Sequence, residues 1–358
     1  MTDADQLQEQ PVSVDPADAR EFLIELVSIP SPSGEEAECA SYLASFFEAY
    51  GRDAWIDDIG NVRAPGDDGV LLTSHIDTVP GDIPVRVEDD QLWGRGSVDA
   101  KGSLAAMAVA AVTTGASFAG VIGEEVDSSG AHHLVDRRER PDAIVNGEPS
   151  GWDSITLGYR GLLGGAYVST SESGHSSRPT ENAIEHAMGW WSRVESVFEA
   201  DQWDSVFEQV TTKPVGFTGG PAEDGLSVEA TLDVQLRVPP DMTVEAVKEL
   251  ADGELQEGTV TWWDEVPPVM ASPRTPVARA FRGAIRQAGG DPRLLRKTGT
   301  SDMNVFAAAW DVPIVTYGPG DSGMDHAPDE HLDLTAFDRS IAVLETATER
   351  LLEADRDD

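Results

Sequence analysis

Short apolar runs alternate with amphipathic stretches through the first part of the chain. Val70-Leu71-Leu72-Thr73-Ser74 is nearly all apolar, as expected of a strand buried on both faces of a parallel or mixed sheet. Phe118–Ile122 and Asp142–Val145 predict two more strands. Between the first two, Lys101 to Val112 is alanine-rich and predicts a buried helix. Upstream, Asp15-Pro16 pairs an N-cap with a proline at the first helical position, and Phe22, Leu23, Leu26 and Val27 give the helix an apolar face. A second helix is predicted from Glu35 to Tyr50, with Gly51 ending it, and short strands follow over 53–57 and 61–63. His132 to Arg138 predicts a short helix, and residues 1–15 ahead of the first helix are expected to be frayed.

The pattern changes after Tyr159. Gly161 to Thr170 alternates like an antiparallel strand, and a turn around Ser173–Pro179 leads into a helix from about Glu181 to Phe198. Strands at 209–216 and 226–238, a helix at 243–250 and a strand at 259–263 complete a βαββαβ order, which suits a small α+β domain. The α/β pattern resumes after Pro267-Pro268 with helices at 277–287, 302–309 and 336–354 and a strand at 313–317. The expected architecture is therefore α/β and doubly wound. A catalytic domain over 1–158 and 268–358 is interrupted by an inserted α+β domain over 159–267.

Three of the predicted strands end in an acid or a histidine. The first delivers His75 and Asp77, the second Glu124-Glu125, and the third Glu148. Open α/β sheets bind ligands at the carboxyl ends of their strands, so this recurrence points to one site at one sheet edge. Singly, each signal is weak: a His-x-Asp pair is usually polar surface, and Glu-Glu is common in an acidic chain. Asp325-His326-Ala-Pro-Asp329-Glu330 could be a solvated turn. Together, His75, Asp99, Glu125, Glu148 and His326 offer imidazoles and carboxylates in a number too large for one tetrahedral zinc, and suited to two metals sharing a carboxylate. Asp77 is placed to fix the tautomer of His75, and Glu124 is a candidate general base for a water activated by the metals. His132-His133 reads as part of a polar structural helix, and Trp262-Trp263 as core and interface rather than a ligand platform.

Composition adds a constraint on setting. Asp and Glu number 65 against 25 Lys and Arg, for a net charge of −40. Such charge repels itself strongly in dilute salt. In molar salt the Debye length falls to about 3 Å and the repulsion is screened. The acidity is spread along the chain, which predicts a protein of a saline cytoplasm and argues against nucleic acid as a partner. Cys39 is the only cysteine, so no internal disulfide forms, and its helical setting predicts burial. The start of the chain has neither a basic segment nor an apolar one of secretory type, and no apolar run is long enough to span a membrane.

Nine segments then meet in one order: SHIDTVP (74–80), GRGSVDAKG (94–102), IGEEVDSSGA (122–131), VNGEPS (145–150), SGHSSRP (173–179), LRVPP (236–240), KTGTSDMN (297–304), YGPG (317–320) and DHAPDE (325–330). With these the chain resembles the M20 family of co-catalytic metallopeptidases and deacylases. GEPSGWDSITLGYRGLL and KTGTSDMN are most similar to the hydrolases that release lysine or ornithine from the γ-carboxyl of a C-terminal glutamate on an amino-group carrier protein. The resemblance implies a zinc-peptidase-like catalytic domain and a lid and dimerisation domain. It implies two divalent ions, zinc or cobalt, with His75, Asp99 and Glu148 on one and Asp99, Glu125 and His326 on the other. It further implies that Asp77 orients His75, that Glu124 is the base, and that His175 reaches the partner subunit's site in a homodimer. Arg237 and the Gly299-Thr300-Ser301 turn match positions that can hold a substrate carboxylate. The peptide after the bridging aspartate is often cis in this family, here Asp99–Ala100.

The segment departs from the family at two places, Asp224 where many relatives have Asn and Gln235 where Asp often stands. Both concern substrate contacts. Acetylornithine deacetylase, succinyl-diaminopimelate desuccinylase and dipeptidase share the core motifs. A non-catalytic binding relative would show a broken ligand set or a missing base, and neither is seen.

Overall fold

A computed structural model describes residues 12–356 apart from Ser176, Arg178, residues 200–204 and Asp224. The expected fraying of residues 1–11 and the Asp224 departure lie outside the described residues. The chain forms two compact units. The larger comprises the chain up to Leu157, Ala271–Leu295 and everything from Ala309 on; the smaller comprises Gly158–Met270 and Arg296–Ala308. The segment 296–308 was expected with the last part of the catalytic domain. It groups with the inserted part because Asn304 donates to the Arg160 and Pro267 carbonyls at 3.2 and 2.8 Å, and Arg160 donates to the Thr298 carbonyl at 2.9 Å.

The larger unit is α/β. Strand Asp67–His75 runs parallel to Ala116–Val121 on one side and to Ile144–Gly147 on the other, and Ile314–Thr316 is parallel to Ile144–Gly147. Toward one edge Val62–Ala64 pairs antiparallel with Ala116–Val121, and Thr316 bridges antiparallel to Thr156, so the sheet is mixed. The central strands are buried almost throughout, which is why their sequences read as continuous apolar runs rather than alternating ones. Helix Lys101–Thr114 is buried from Lys101 to Val112 and ends on Gly115 with positive φ. The first helix, Pro16–Ser28, starts as expected, with the Asp15 carboxylate accepting from the Ala17 N–H at 2.9 Å. Cys39 is buried in helix Ala37–Ala49.

Between Gly161 and Val266 the smaller unit has the order strand, helix, strand, strand, helix, strand, and helix Asp302–Ala309 lies mostly in its second segment. Its antiparallel sheet runs Thr211–Pro221, Ser227–Val238, Gly161–Glu172, Thr259–Val266. Helices Ala183–Val197 and Val244–Gly253 bury Trp190, Val194, Val247 and Ala251 in this unit's core. Strand Ser227–Val238 alternates buried and half-buried positions, as a sheet covered on one face should. Trp190 stacks on Tyr167 at 4.9 Å. Gly164 and Gly165 leave room for the tryptophan pair: a Cβ on either would lie 2.5 Å from Trp263 or Trp262. Trp262 packs into this core as expected, whereas Trp263 is 40 % exposed.

Candidate metal centre

Strand register brings the site together. His75 lies opposite Val121, and Ser74 opposite Gly147, so three parallel strands end at one level. The residues that follow these ends are Asp77, Glu124-Glu125 and Glu148. Gly123, at φ +72°, makes the turn that aims Glu124 and Glu125, and a Cβ there would lie 2.6 Å from Ser129 Oγ. Asp99 comes from the loop before helix Lys101–Thr114, and a cis peptide joins it to Ala100 at the helix start. Lys101 anchors this loop by donating to the Leu26 and Ile29 carbonyls at the end of the first helix. His326, at φ +60°, follows a short 3-10 turn over Ser322–Met324.

The five expected ligands converge. His75 Nε2 is 3.2 Å from Asp99 Oδ1 and 4.0 Å from Glu148 Oε1. His326 Nε2 is 3.3 Å from Asp99 Oδ2 and 3.1 Å from Glu125 Oε2. The two oxygens of Asp99 thus face different histidines. Ligand atoms of His75, Asp99 and Glu148 lie within 4.8 Å of one another, as do those of Asp99, Glu125 and His326, and those of His75, Glu124 and Glu125. The donor chemistry fits two divalent ions: two neutral imidazole nitrogens, and carboxylates to offset four positive charges. His75 is buried, whereas His326 is half exposed.

The surroundings of Asp77 refine its expected role. His75 Nδ1 sits 2.9 Å from the Asp77 backbone carbonyl and 3.5 Å from its Oδ1, so the carbonyl is the nearer partner. Donation there leaves the Nε2 lone pair facing Asp99 and Glu148. The Asp77 carboxylate instead accepts the N–H groups of Glu124 and Glu125, both at 3.1 Å, and the Ser33 hydroxyl at 2.7 Å. Ser33 was not singled out in the sequence, since a serine in a turn-rich Ser-Pro-Ser-Gly segment carries no signal of a distant partner.

Charge balance in the cleft shows how strongly it calls for cations. Burial pulls the His75 pKa down, but hydrogen bonds to Asp77 and Asp99 and the charges of Glu148 and Glu124 outweigh it and hold it well above the ordinary value. The Asp99 hydrogen bond, with Glu125 nearby, pushes His326 up to about 9. Burial raises Glu125, with the Asp99 charge adding to it. Burial also acts to raise Asp77, but the His75, Ser33 and Glu125 N–H contacts prevail and lower it.

The remaining expected site residues belong to the smaller unit. His175 is exposed, with Nδ1 2.8 Å from Ser177 Oγ. Arg237 is half buried and donates to Thr300 Oγ1 at 3.4 Å, and burial lowers its pKa. Gly299 has no atom within 4 Å of a notional Cβ. Ser301 donates its N–H to Asn304 Oδ1 at 2.9 Å. A further cluster, Asp57, Asp58 and His133, has ligand atoms within 4.8 Å of one another, but Asp57 also faces Arg63 at 3.9 Å and caps the Ile59–Asn61 turn. The reading of His133 as a structural residue suits that setting. Pro328 and Asp329 in this loop are exposed and His326 is half exposed, whereas Glu330 at its end is fully buried.

Fold and site together define a metal-dependent hydrolase acting on C–N bonds. The profile of peptidase family M20/M25/M40 matches residues 71–350, and the chain belongs to that family. It is 40 % identical to a LysW-lysine hydrolase of Deinococcus radiodurans, over 93 % of this chain and 97 % of that one. It is 30 % identical to a LysW-lysine/LysW-ornithine hydrolase of Sulfurisphaera tokodaii, over 93 % and 95 %. Among solved structures, the M20 family metallo-carboxypeptidase Sso-CP2 of Sulfolobus solfataricus shares the fold. Its TM-score is 0.77 at 20 % identity, over 95 % of this chain and 100 % of that one.

Proposed function

We propose that the protein is a di-metal amide hydrolase that releases lysine, ornithine or both from the γ-carboxyl of the C-terminal glutamate of an amino-group carrier protein. The observation that carries the chemistry is Asp99, whose two oxygens each face a different histidine at 3.2 and 3.3 Å. The substrate class rests on likeness to relatives named as LysW-lysine and LysW-ornithine hydrolases.

His75, Asp99 and Glu148 would hold one ion, and Asp99, Glu125 and His326 the other; zinc or cobalt suits such mixed donors. When bound, the ions supply Lewis-acid activation of the scissile carbonyl and of the attacking water. The chain's own groups do the rest. Glu124, half buried beside His75 and Glu125, takes a proton from the water and hands it to the leaving amine nitrogen. The amide C–N bond breaks, a C–O bond forms, and the carrier keeps its γ-carboxylate. Asp77 holds the Glu124-Glu125 turn and, through its carbonyl, the His75 tautomer.

His175 would stabilise the developing oxyanion in the partner subunit's site, which makes the homodimer the working form. Arg237, with Gly299, Thr300 and Ser301, would hold a carboxylate of the substrate, a task suited to a planar guanidinium. Lid and dimerisation are the roles assigned to the smaller unit. The net charge of −40 supports work in a saline cytoplasm, and among the described residues no helix is long and apolar enough to cross a membrane. Near-UV circular dichroism that survives dilution into 50 mM salt unchanged would remove the halophilic part of the reading.

The function is tested by mass spectrometry of a carrier protein bearing γ-linked lysine or ornithine. Incubation with metal-reconstituted enzyme is expected to lower the carrier mass by one amino-acyl unit, and metal-stripped enzyme to leave it unchanged. Equal loss with both forms would refute the metal-dependent reading.

A further inference from the structure

Glu330 closes the His326 loop, and both of its carboxylate oxygens are engaged twice. Oε1 accepts the backbone N–H groups of Val98 at 2.8 Å and Asp99 at 3.1 Å. Oε2 accepts that of Gly96 at 3.1 Å and Arg95 Nη1 at 2.7 Å. The same Arg95 nitrogen donates to the Ala327 carbonyl at 3.2 Å, one residue past His326. Around this knot, Gly94 N–H donates to the Glu330 carbonyl, and His331 pairs with Trp93 across an antiparallel ladder with their rings 4.3 Å apart.

A buried carboxylate is costly to desolvate, and apolar packing of similar volume would fill the space without that cost. Four donors satisfy all the lone-pair directions an ionised carboxylate presents. What this arrangement adds is geometry. It fixes the N–H of Asp99 itself, and through Arg95 it fixes the chain beside His326. The loops that carry these two residues come from distant parts of the sequence, and Glu330 with Arg95 ties them directly.

We propose that Arg95 and Glu330 form a clamp that sets the distance between Asp99 and His326, and with it the binding of the second metal ion. The inference rests on the reading of Asp99 and His326 as metal ligands. Neither clamp residue is assigned contact with substrate or ions; both are positioning residues. Gly96 belongs to the same device, because a Cβ there would lie 2.5 Å from Thr78 Cγ2.

The test is titration of metal-free protein with cobalt(II), followed by calorimetry and by the visible absorption of the bound ion. Wild type, Glu330→Gln and Arg95→Met are compared, each checked for folding by far-UV circular dichroism. Glu330→Gln places an amide NH2 against backbone donors. It is expected to keep the first cobalt equivalent, to weaken the second by about tenfold or more, and to change the cobalt spectrum. Arg95→Met keeps the three backbone contacts of Glu330 and is expected to weaken the same equivalent by less. If Glu330→Gln does not fold, Arg95→Met decides by the same readout. Folded variants that titrate and absorb like wild type would overturn the clamp. Wild type that binds no second equivalent would instead overturn the ligand assignment on which the clamp rests.

Discussion

The Asp77 carboxylate accepts the Glu124 backbone N–H at 3.1 Å, so the proposed base is held by the residue that also contacts His75. Its second oxygen holds the Glu125 N–H at the same distance. Asp77 therefore couples one end of the central strand to the turn that carries the proposed base and the proposed ligand. Replacement Asp77→Ala is expected to lower kcat/KM by about 10–100-fold, as loss of an orienting partner around a metal centre typically does. Steady-state kinetics with saturating metal checks this, and an unchanged kcat/KM would show that the turn holds itself.

Glu124→Gln keeps the shape of the side chain and removes its basicity. Metal content should stay at the wild-type level, while kcat falls by about 10²–10⁴-fold. Metal analysis alongside the kinetics separates the two effects. Survival of most of the activity would assign the proton transfer to another group.

The metal-free cleft stores protons. His326, raised to about 9 by Asp99 and Glu125, is charged at neutral pH and must lose its proton to bind a cation. Metal binding below pH 9 should release protons, and apparent affinity should weaken as pH falls. In metal-free protein the sign is opposite for the fold. The His326 pairing stabilises it fully below the unfolded pKa of about 6.5, and this contribution is lost as pH rises through about 9. Calorimetry in buffers of different ionisation enthalpy measures the release at pH 7. Zero release there would contradict the ligand role of His326.

In the proposed homodimer, His175→Ala should leave subunit association intact and abolish turnover. Mixed with Glu124→Gln protein, it should regain activity, because a hybrid dimer then pairs an intact metal site with an intact His175. If hybrids formed by subunit exchange stay inactive, His175 does not act across the interface.

Much of this site was legible because strands write their burial into sequence. Val70–Ser74 announced a central strand, and His75 marked its end. The hairpin over Arg86–Glu88 and Gln91–Trp93 was missed, although Asp89 and Asp90, both at positive φ, form a two-residue turn that favours such pairing. Its strands are only three residues long, too short for alternation to register. Strand Ser154–Tyr159 was missed although Ile155, Leu157 and Tyr159 alternate with Ser154, Thr156 and Gly158; all six are buried, so the small and polar positions gave no sign of a solvent-facing side. The Asp99–Glu330 contact was invisible for a different reason. It joins two loops far apart in the chain, and in a sequence this acidic one more glutamate carries no signal of burial. Hydrogen bonds between side chains far apart in the chain, such as Ser33 to the Asp77 carboxylate, leave no periodicity at all.

The central claim, that this metal centre serves a carrier-linked amide, is tested most directly by one comparison. Metal-loaded enzyme in high potassium chloride is given N-acetylornithine in one assay, and a carrier protein with γ-linked lysine or ornithine in another, and free amino acid is quantified. The account predicts release from the carrier substrates and little from N-acetylornithine. Turnover of N-acetylornithine with an inert carrier would contradict it, leaving the metal chemistry but not the substrate.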